Sequence, residues 1–241
     1  MSKNLYMNNI GRKAKIASSS LQNIDAKTKN AVLKQFSIYL KKYSKSILKA
    51  NKKDILSSKK NKNNRDERLE LNYKKITQII KSVKDIIKIK NPLGITLSSW
   101  KRPNGLVIKR VSIPIGVIGV VYESRPNVTS DVSSLCFKTG NTVILRGGSN
   151  AYHSNKILSD LFRKALKKKG CNENCVQFVE KKSRGNVDYL LSNMENYLDI
   201  IIPRGGKNLV KKVKAKSSVP TIGHLEGICH IYIDKKANLE M

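Results

Sequence analysis

Residues 113–121, Ile-Pro-Ile-Gly-Val-Ile-Gly-Val-Val, are almost wholly apolar. Such a run suits a strand buried on both faces, which is the habit of a parallel sheet covered by helices. The chain beyond it keeps alternating. The patterning predicts a helix over 129–138, a strand over 142–145, a helix over 152–169 and a strand over 176–179. A helix over 186–192, a strand over 198–202 and a helix over 207–214 follow, with two short strands at 219–222 and 230–233. Strands alternating with helices imply βαβ units and a mostly parallel sheet, so the fold class is α/β. Ligands on such sheets bind beyond the carboxyl ends of the strands. The Gly, Arg and Asn residues of this chain gather at those ends.

The N-terminal third reads as helices. Asp25 is the expected N-cap of a helix whose apolar stripe is Val32, Leu33, Phe36, Tyr39, Leu40, Tyr43, Ile47 and Leu48. Polar residues 57–64 are expected to be a loop. A second helix buries Leu71, Ile76, Ile79, Ile80, Val83, Ile86 and Ile87, and Asn91-Pro92-Leu93-Gly94 ends it. Residues 106–111 alternate like an edge strand or hairpin arm.

The charge looks dramatic. The 241 residues carry 48 Lys and Arg against 17 Asp and Glu, a formal net charge of +31. That invites a nucleic-acid reading. However, 38 of the bases are Lys and only 10 are Arg, and the planar fork of Arg is what base and phosphate recognition favours. Residues 41–65 hold ten basic groups and one acid, Asp54, whereas residues 115–150 are net +1. The charge avoids the most patterned part of the chain. Specific nucleic-acid binding is therefore not expected, and weak polyanion binding should fade with salt. No apolar run reaches the roughly 18 residues of a membrane span, and no leader is expected at the N-terminus. Four cysteines without framework spacing suit reduced thiols in a cytoplasmic setting.

Three strand-to-helix junctions carry chemistry. Residues 122–129, Tyr-Glu-Ser-Arg-Pro-Asn-Val-Thr, place Asn127 where its carboxamide either donates to an oxyanion or caps the helix. Residues Arg146, Gly147, Gly148 and Ser149 form either a phosphate-binding turn at a helix N-terminus or a plain glycine turn. Residues Arg204, Gly205 and Gly206 repeat that chemistry after the next strand but one. Two Arg-Gly-Gly turns on one sheet strengthen each other and favour a phosphorylated ligand, such as a nucleotide cofactor or an acyl phosphate. Neither matches G-x-G-x-x-G or Walker A.

The remaining signals are weak. Cys136 reads as core, and Cys171 with Cys175 is a poor zinc signal without further ligands, so no metal site is expected. Cys229 and His230, adjacent on an expected strand, should face opposite ways. His153 reads as a surface helix residue, and His224 sits in a glycine-flanked loop.

At these same residues the sequence resembles gamma-glutamyl phosphate reductase, also called glutamate-5-semialdehyde dehydrogenase, of the aldehyde dehydrogenase superfamily. The resemblance runs through residues 113–149, 201–206 and 227–234, and the helical region before residue 91 is similar in layout. It implies an oxidoreductase of proline biosynthesis that reduces L-glutamyl 5-phosphate with NADPH to glutamate 5-semialdehyde and phosphate, through a cysteine thiolate. It implies a Rossmann-like parallel sheet of the aldehyde dehydrogenase type with N-terminal helices: residues 1–95 helical, 96–112 a hairpin of the oligomerisation type, and 113–241 the cofactor-binding domain. By the same resemblance Arg146 to Ser149 and Arg204 to Gly206 lie around the cofactor phosphates, and Asn127 contributes to the oxyanion hole. Members of the family are longer, and their nucleophilic cysteine falls beyond the segment matching 227–234. None of Cys136, Cys171, Cys175 or Cys229 matches it. The expectation is therefore a chain with the catalytic domain largely missing, inactive alone. Its implied partners are L-glutamyl 5-phosphate, a glutamate 5-kinase or a separately encoded catalytic half, and further copies of itself. The alternative is a basic nucleic-acid-binding protein on a decayed enzyme fold.

Overall fold

The computed structural model describes residues 4–60, 68–223 and 229–238. Four helices come first: α1 (Leu5–Gln22), α2 (Ala26–Lys42), α3 (Ser44–Lys60) and α4 (Tyr73–Lys88). A two-stranded antiparallel hairpin follows, β1 (Thr96–Lys101) and β2 (Val107–Val111). The rest alternates: β3 (Val117–Tyr122), α5 (Pro126–Lys138), β4 (Thr142–Gly147), α6 (Tyr152–Lys168), β5 (Val176–Phe178), α7 (Arg184–Ser192), β6 (Ile200–Arg204) and α8 (Lys207–Lys216).

The four strands β3 to β6 form one parallel sheet in the order β5-β4-β3-β6. The chain steps outward from β3 through β4 to β5, then crosses back to place β6 on the other side of β3. The reversal makes a topological switch point between β3 and β6, where a crevice opens beyond the strand ends. Period-two alternation splits the sheet between two cores. Ile118, Val120, Tyr122, Val143 and Leu145 face α2, α4, α5 and α6, with Phe36, Phe137 and Phe162 at the centre. Val117, Val121, Ile144 and Ile201 face α1, α7 and α8. Every β3 residue is buried, as a strand covered on both faces requires.

Several expectations are corrected. The stripe from Val32 to Leu48 is two helices rather than one, broken at Tyr43, whose own N–H still caps α2 on Tyr39. Residues 57–60 continue α3 rather than forming a loop, and 61–64 lie outside the described residues. α4 stops at Lys88, before the Asn91-Pro92 pair. Ile113 and Ile115 precede β3 and are exposed, so the buried strand begins only at Val117. α5 starts at Pro126, whose missing N–H is tolerated in the first turn. Of the expected closing strands, 219–222 makes only a single parallel bridge, Thr221 to Ile201. Residues 230–233 are exposed and form no strand, because no described strand lies alongside to accept their hydrogen bonds.

Candidate active site

The crevice at the switch point is built from the loop after β3 and the turn after β6. Pairing of Tyr122 with Arg204 brings the two strand ends level. The Glu123 N–H then donates to the Arg204 carbonyl at 3.2 Å. The Glu123 carboxylate accepts from the Gly206 N–H at 2.8 Å, at the N-terminus of α8. A Cβ on Gly205 would lie 2.6 Å from the Glu123 carboxyl carbon, so the glycine is what lets that side chain reach the helix end. The α8 terminus therefore already receives an anion, as its unsatisfied amides and dipole favour. Arg204, Gly206 and Lys207 are exposed around it.

The other Arg-Gly-Gly turn is built differently. Arg146 and Gly147 lie inside β4, not in a loop. The Arg146 guanidinium is buried and turned onto backbone: it donates to the Gly147 carbonyl and, at 3.2 Å, to that of Lys182. Burial pulls its pKa down. A Cβ on Gly147 would strike Asn155 and Tyr122, and one on Gly148 would strike Ser124. Those glycines admit neighbouring side chains of this chain. Beyond them, the N-terminus of α6 holds Asp54, which accepts from the N–H groups of His153 (3.0 Å) and Ser154 (2.8 Å) and from the Ser154 hydroxyl (2.7 Å). Asp54 is only 2% exposed. Of the two helix ends, α8 fits a dinucleotide phosphate, since an exposed carboxylate can swing away; α6 is closed by a buried one. Ser149 remains exposed at the strand edge.

Asn127 is exposed in the first turn of α5, and its Nδ2 donates to Asp131 Oδ2 at 3.2 Å. It caps no helix amide; Arg125 holds the N-cap position without a side-chain bond. A cavity of about 390 Å³ between α5 and the β3 and β6 ends is lined by Arg125, Asn127, Asp131 and Arg204 over an apolar floor that includes Val120 and Ile202. Underneath, Tyr122, Thr129 and Asn155 form a buried hydrogen-bonded chain, at 2.7 and 3.0 Å, that ties β3, α5 and α6 together below the loop. Burial raises the Tyr122 pKa further above its normal range, so it stays a neutral phenol.

Sequence reasoning singled out the arginines and Asn127 but passed over Glu123, Asp54 and Asp131. The signal for Asp54 was present: it is the lone acid among ten bases in residues 41–65. That for Asp131 was its position four residues after Asn127, one helical turn away. Cys136, Cys171 and Cys175 are buried free thiols, and burial pushes the Cys136 and Cys175 pKa values up to about 12. Cys229 is exposed. His224 and Gly227 lie outside the described residues. Among the described residues no three His, Cys, Asp or Glu gather as a metal site, and no helix is long and apolar enough to cross a membrane.

No family model matches the chain. Comparison with individual proteins is decisive. Gamma-glutamyl phosphate reductase from Bartonella henselae is 44% identical over 237 residues, covering 98% of this chain and 58% of the relative. The chain is related to the gamma-glutamyl phosphate reductases. The crystal structure of gamma-glutamyl phosphate reductase from Thermotoga maritima superposes with a TM-score of 0.90 at 38% identity, over 97% of this chain and 57% of that one. A probable aldehyde dehydrogenase from Listeria monocytogenes, at 16% identity and a TM-score of 0.70, shows the same fold. The α/β fold of the aldehyde dehydrogenase type is thus the fold of this chain. It spans a little under three-fifths of the length of the gamma-glutamyl phosphate reductases it matches.

Proposed function

We propose that the chain is the cofactor-binding part of a gamma-glutamyl phosphate reductase. In this reading it holds NADPH at the β3–β6 crevice and presents Asn127 to the acyl group of L-glutamyl 5-phosphate, on the way to L-glutamate 5-semialdehyde and phosphate. The observation that carries the reading is the 44% identity along 98% of the chain to a protein named for that reaction. The anion-accepting α8 end at the switch point supports it.

Each residue has a role in this reading. Bound NADPH supplies the hydride. Arg204 gives a cofactor phosphate a bidentate donor, and the amides at Gly205 and Gly206 give it the helix terminus. Glu123 yields that terminus when phosphate arrives. Ser149 reaches the same edge, while Arg146, Gly147 and Gly148 brace it from inside. Asn127 keeps one amide hydrogen on Asp131 and offers the other to the developing oxyanion. The thiolate implied by the resemblance does not come from Cys136 or Cys175, which stay protonated at neutral pH; a catalytic half outside the described residues supplies it. We assign the hairpin 96–112 to self-association, since Leu97, Trp100 and Val107 are exposed on it. Free thiols suit a cytoplasmic setting, and a kinase making acyl phosphate is the reaction class that feeds it.

Calorimetric titration with NADPH tests the reading. The chain is expected to bind, Arg204→Gln to weaken binding about tenfold, and Glu123→Gln to tighten it by removing the competing carboxylate. NADPH oxidation by the chain alone with L-glutamyl 5-phosphate is expected to be nil. A folded chain with no affinity for NADPH overturns the assignment.

A further inference from the structure

A second cavity, of about 440 Å³, opens on the other side of the Arg125–Asp131 turn, between α4 and α5. Arg125, Asn127 and Asp131 line both cavities, and the far wall of this one carries Arg68, Lys75 and Gln78. Its charges are mixed in a particular way. The two oxygens of Asp131 differ: Oδ2 accepts from Asn127, whereas Oδ1 is buried with no hydrogen-bond partner. A buried carboxylate oxygen left unpaired is costly, and a ligand that donates to it recovers that cost. Burial accordingly raises the Asp131 pKa, against the lowering effect of Asn127. Facing it are cations. Lys75 Nζ reaches the Glu70 carbonyl at 2.7 Å, while among the described residues no side-chain partner holds the Arg125 guanidinium. The cavity offers one carboxylate oxygen awaiting a donor and a cationic wall, beside the Asn127 carboxamide. A ligand that answers both carries an ammonium and a carboxylate on adjacent positions.

We propose that this cavity is the recognition site for the α-amino acid end of the substrate, its ammonium on Asp131 Oδ1 and its carboxylate against the Arg125, Lys75 and Arg68 wall. The inference rests on the proposed reaction for which amino acid it is, and deepens it by naming the groups that read the substrate. It explains why Asp131 is kept half-buried on α5: a single carboxylate there both orients Asn127 and selects for an amine. Dicarboxylates of the same length but without the amine lack the group that Asp131 needs.

The test uses the 241-residue chain, isotope-labelled, with L-glutamate and glutarate as probes, followed by NMR titration. L-glutamate is expected to bind about tenfold more tightly than glutarate, the usual margin for one charge-assisted hydrogen bond, and to shift signals of Arg125, Asn127 and Asp131. Asp131→Asn should lower L-glutamate affinity to that of glutarate while leaving glutarate unchanged. Arg125→Gln should weaken both probes together, which separates loss of the anion contact from misfolding when the amide spectrum is intact. Equal affinity for the two probes, no binding of L-glutamate, or an Asp131→Asn variant with undiminished preference for the amine overturns the proposal. NADPH titration of the same samples reads the other crevice. Intact NADPH binding with no L-glutamate preference refutes the amino-acid site alone, and the converse refutes the cofactor reading alone.

Discussion

Replacing Asp54 by alanine removes the carboxylate that closes the N-terminus of α6. The local geometry sets the size of the effect. Asp54 accepts from two backbone amides and from the Ser154 hydroxyl, which itself accepts from Asn51 at 3.0 Å. Asn51 in turn donates to the Leu69 carbonyl and accepts from the Leu71 N–H, both at 2.8 Å, so the cluster pins α3, α6 and residues 69–71 to one another. Each buried donor left without a partner costs about 1–3 kcal/mol, and losing the anion from a partly buried helix terminus costs up to about 2 kcal/mol. The His153 amide is near enough to the surface for water to replace part of its bond. The expected loss for Asp54→Ala is therefore about 3–5 kcal/mol, and for Asp54→Asn, which keeps one acceptor oxygen, about 1–2 kcal/mol. At about 2–4 °C per kcal/mol for a chain of this length, the alanine variant should melt about 6–20 °C lower. Urea unfolding monitored by circular dichroism measures it. The freed helix end should also take up inorganic phosphate, so that phosphate stabilises Asp54→Ala more than the parent. A loss below about 1 kcal/mol, with no gain in response to phosphate, refutes the reading of Asp54 as the built-in anion of α6.

Three further outcomes are expected. Phe162→Ala should cost about 3–5 kcal/mol, since Phe162 is fully buried and stacks within 4.7 Å of Phe36 and 5.8 Å of Phe137, joining α2, α5 and α6; equilibrium unfolding reads it. Asp131→Asn should stabilise the chain at neutral pH: the folded pKa of Asp131 is raised, so the folded state holds its proton longer than the unfolded chain, and native stability falls as pH rises from about 3.9 through the raised value. Parent and variant should converge below that window, and a variant advantage independent of pH contradicts the assignment. With a thiol reagent in native buffer, Cys229 should react first and Cys136, Cys171 and Cys175 only after unfolding, as mass spectrometry of the labelled peptides shows.

The sheet was the most legible part of the chain because apolar strands covered on both faces leave a strong pattern: β3 to β6 and the helices between them fall within a few residues of where the alternation puts them. Breaks within helices were less legible. Tyr43 continues the apolar stripe across the α2–α3 junction, so periodicity runs on where the hydrogen-bond ladder stops. The 230–233 segment has the composition of a strand but no described neighbour to pair with, and pairing is not a local property. At the site, the residue types and the strand ends were readable, yet the two Arg-Gly-Gly turns look alike in sequence and differ in space. What separates them is which acid reaches each helix end, buried Asp54 from α3 or exposed Glu123 from the β3 loop. Those contacts span about a hundred and about eighty residues of sequence, beyond the reach of any local motif.

The central claim is that a nicotinamide dinucleotide sits at the β3–β6 switch point, on the α8 terminus rather than that of α6. Amide chemical-shift mapping with NADPH tests it most directly. The account predicts perturbation of Gly205, Gly206 and Lys207 together with Glu123, and silence at His153 and Ser154. Shifts centred on His153 and Ser154 with Gly206 unmoved contradict it.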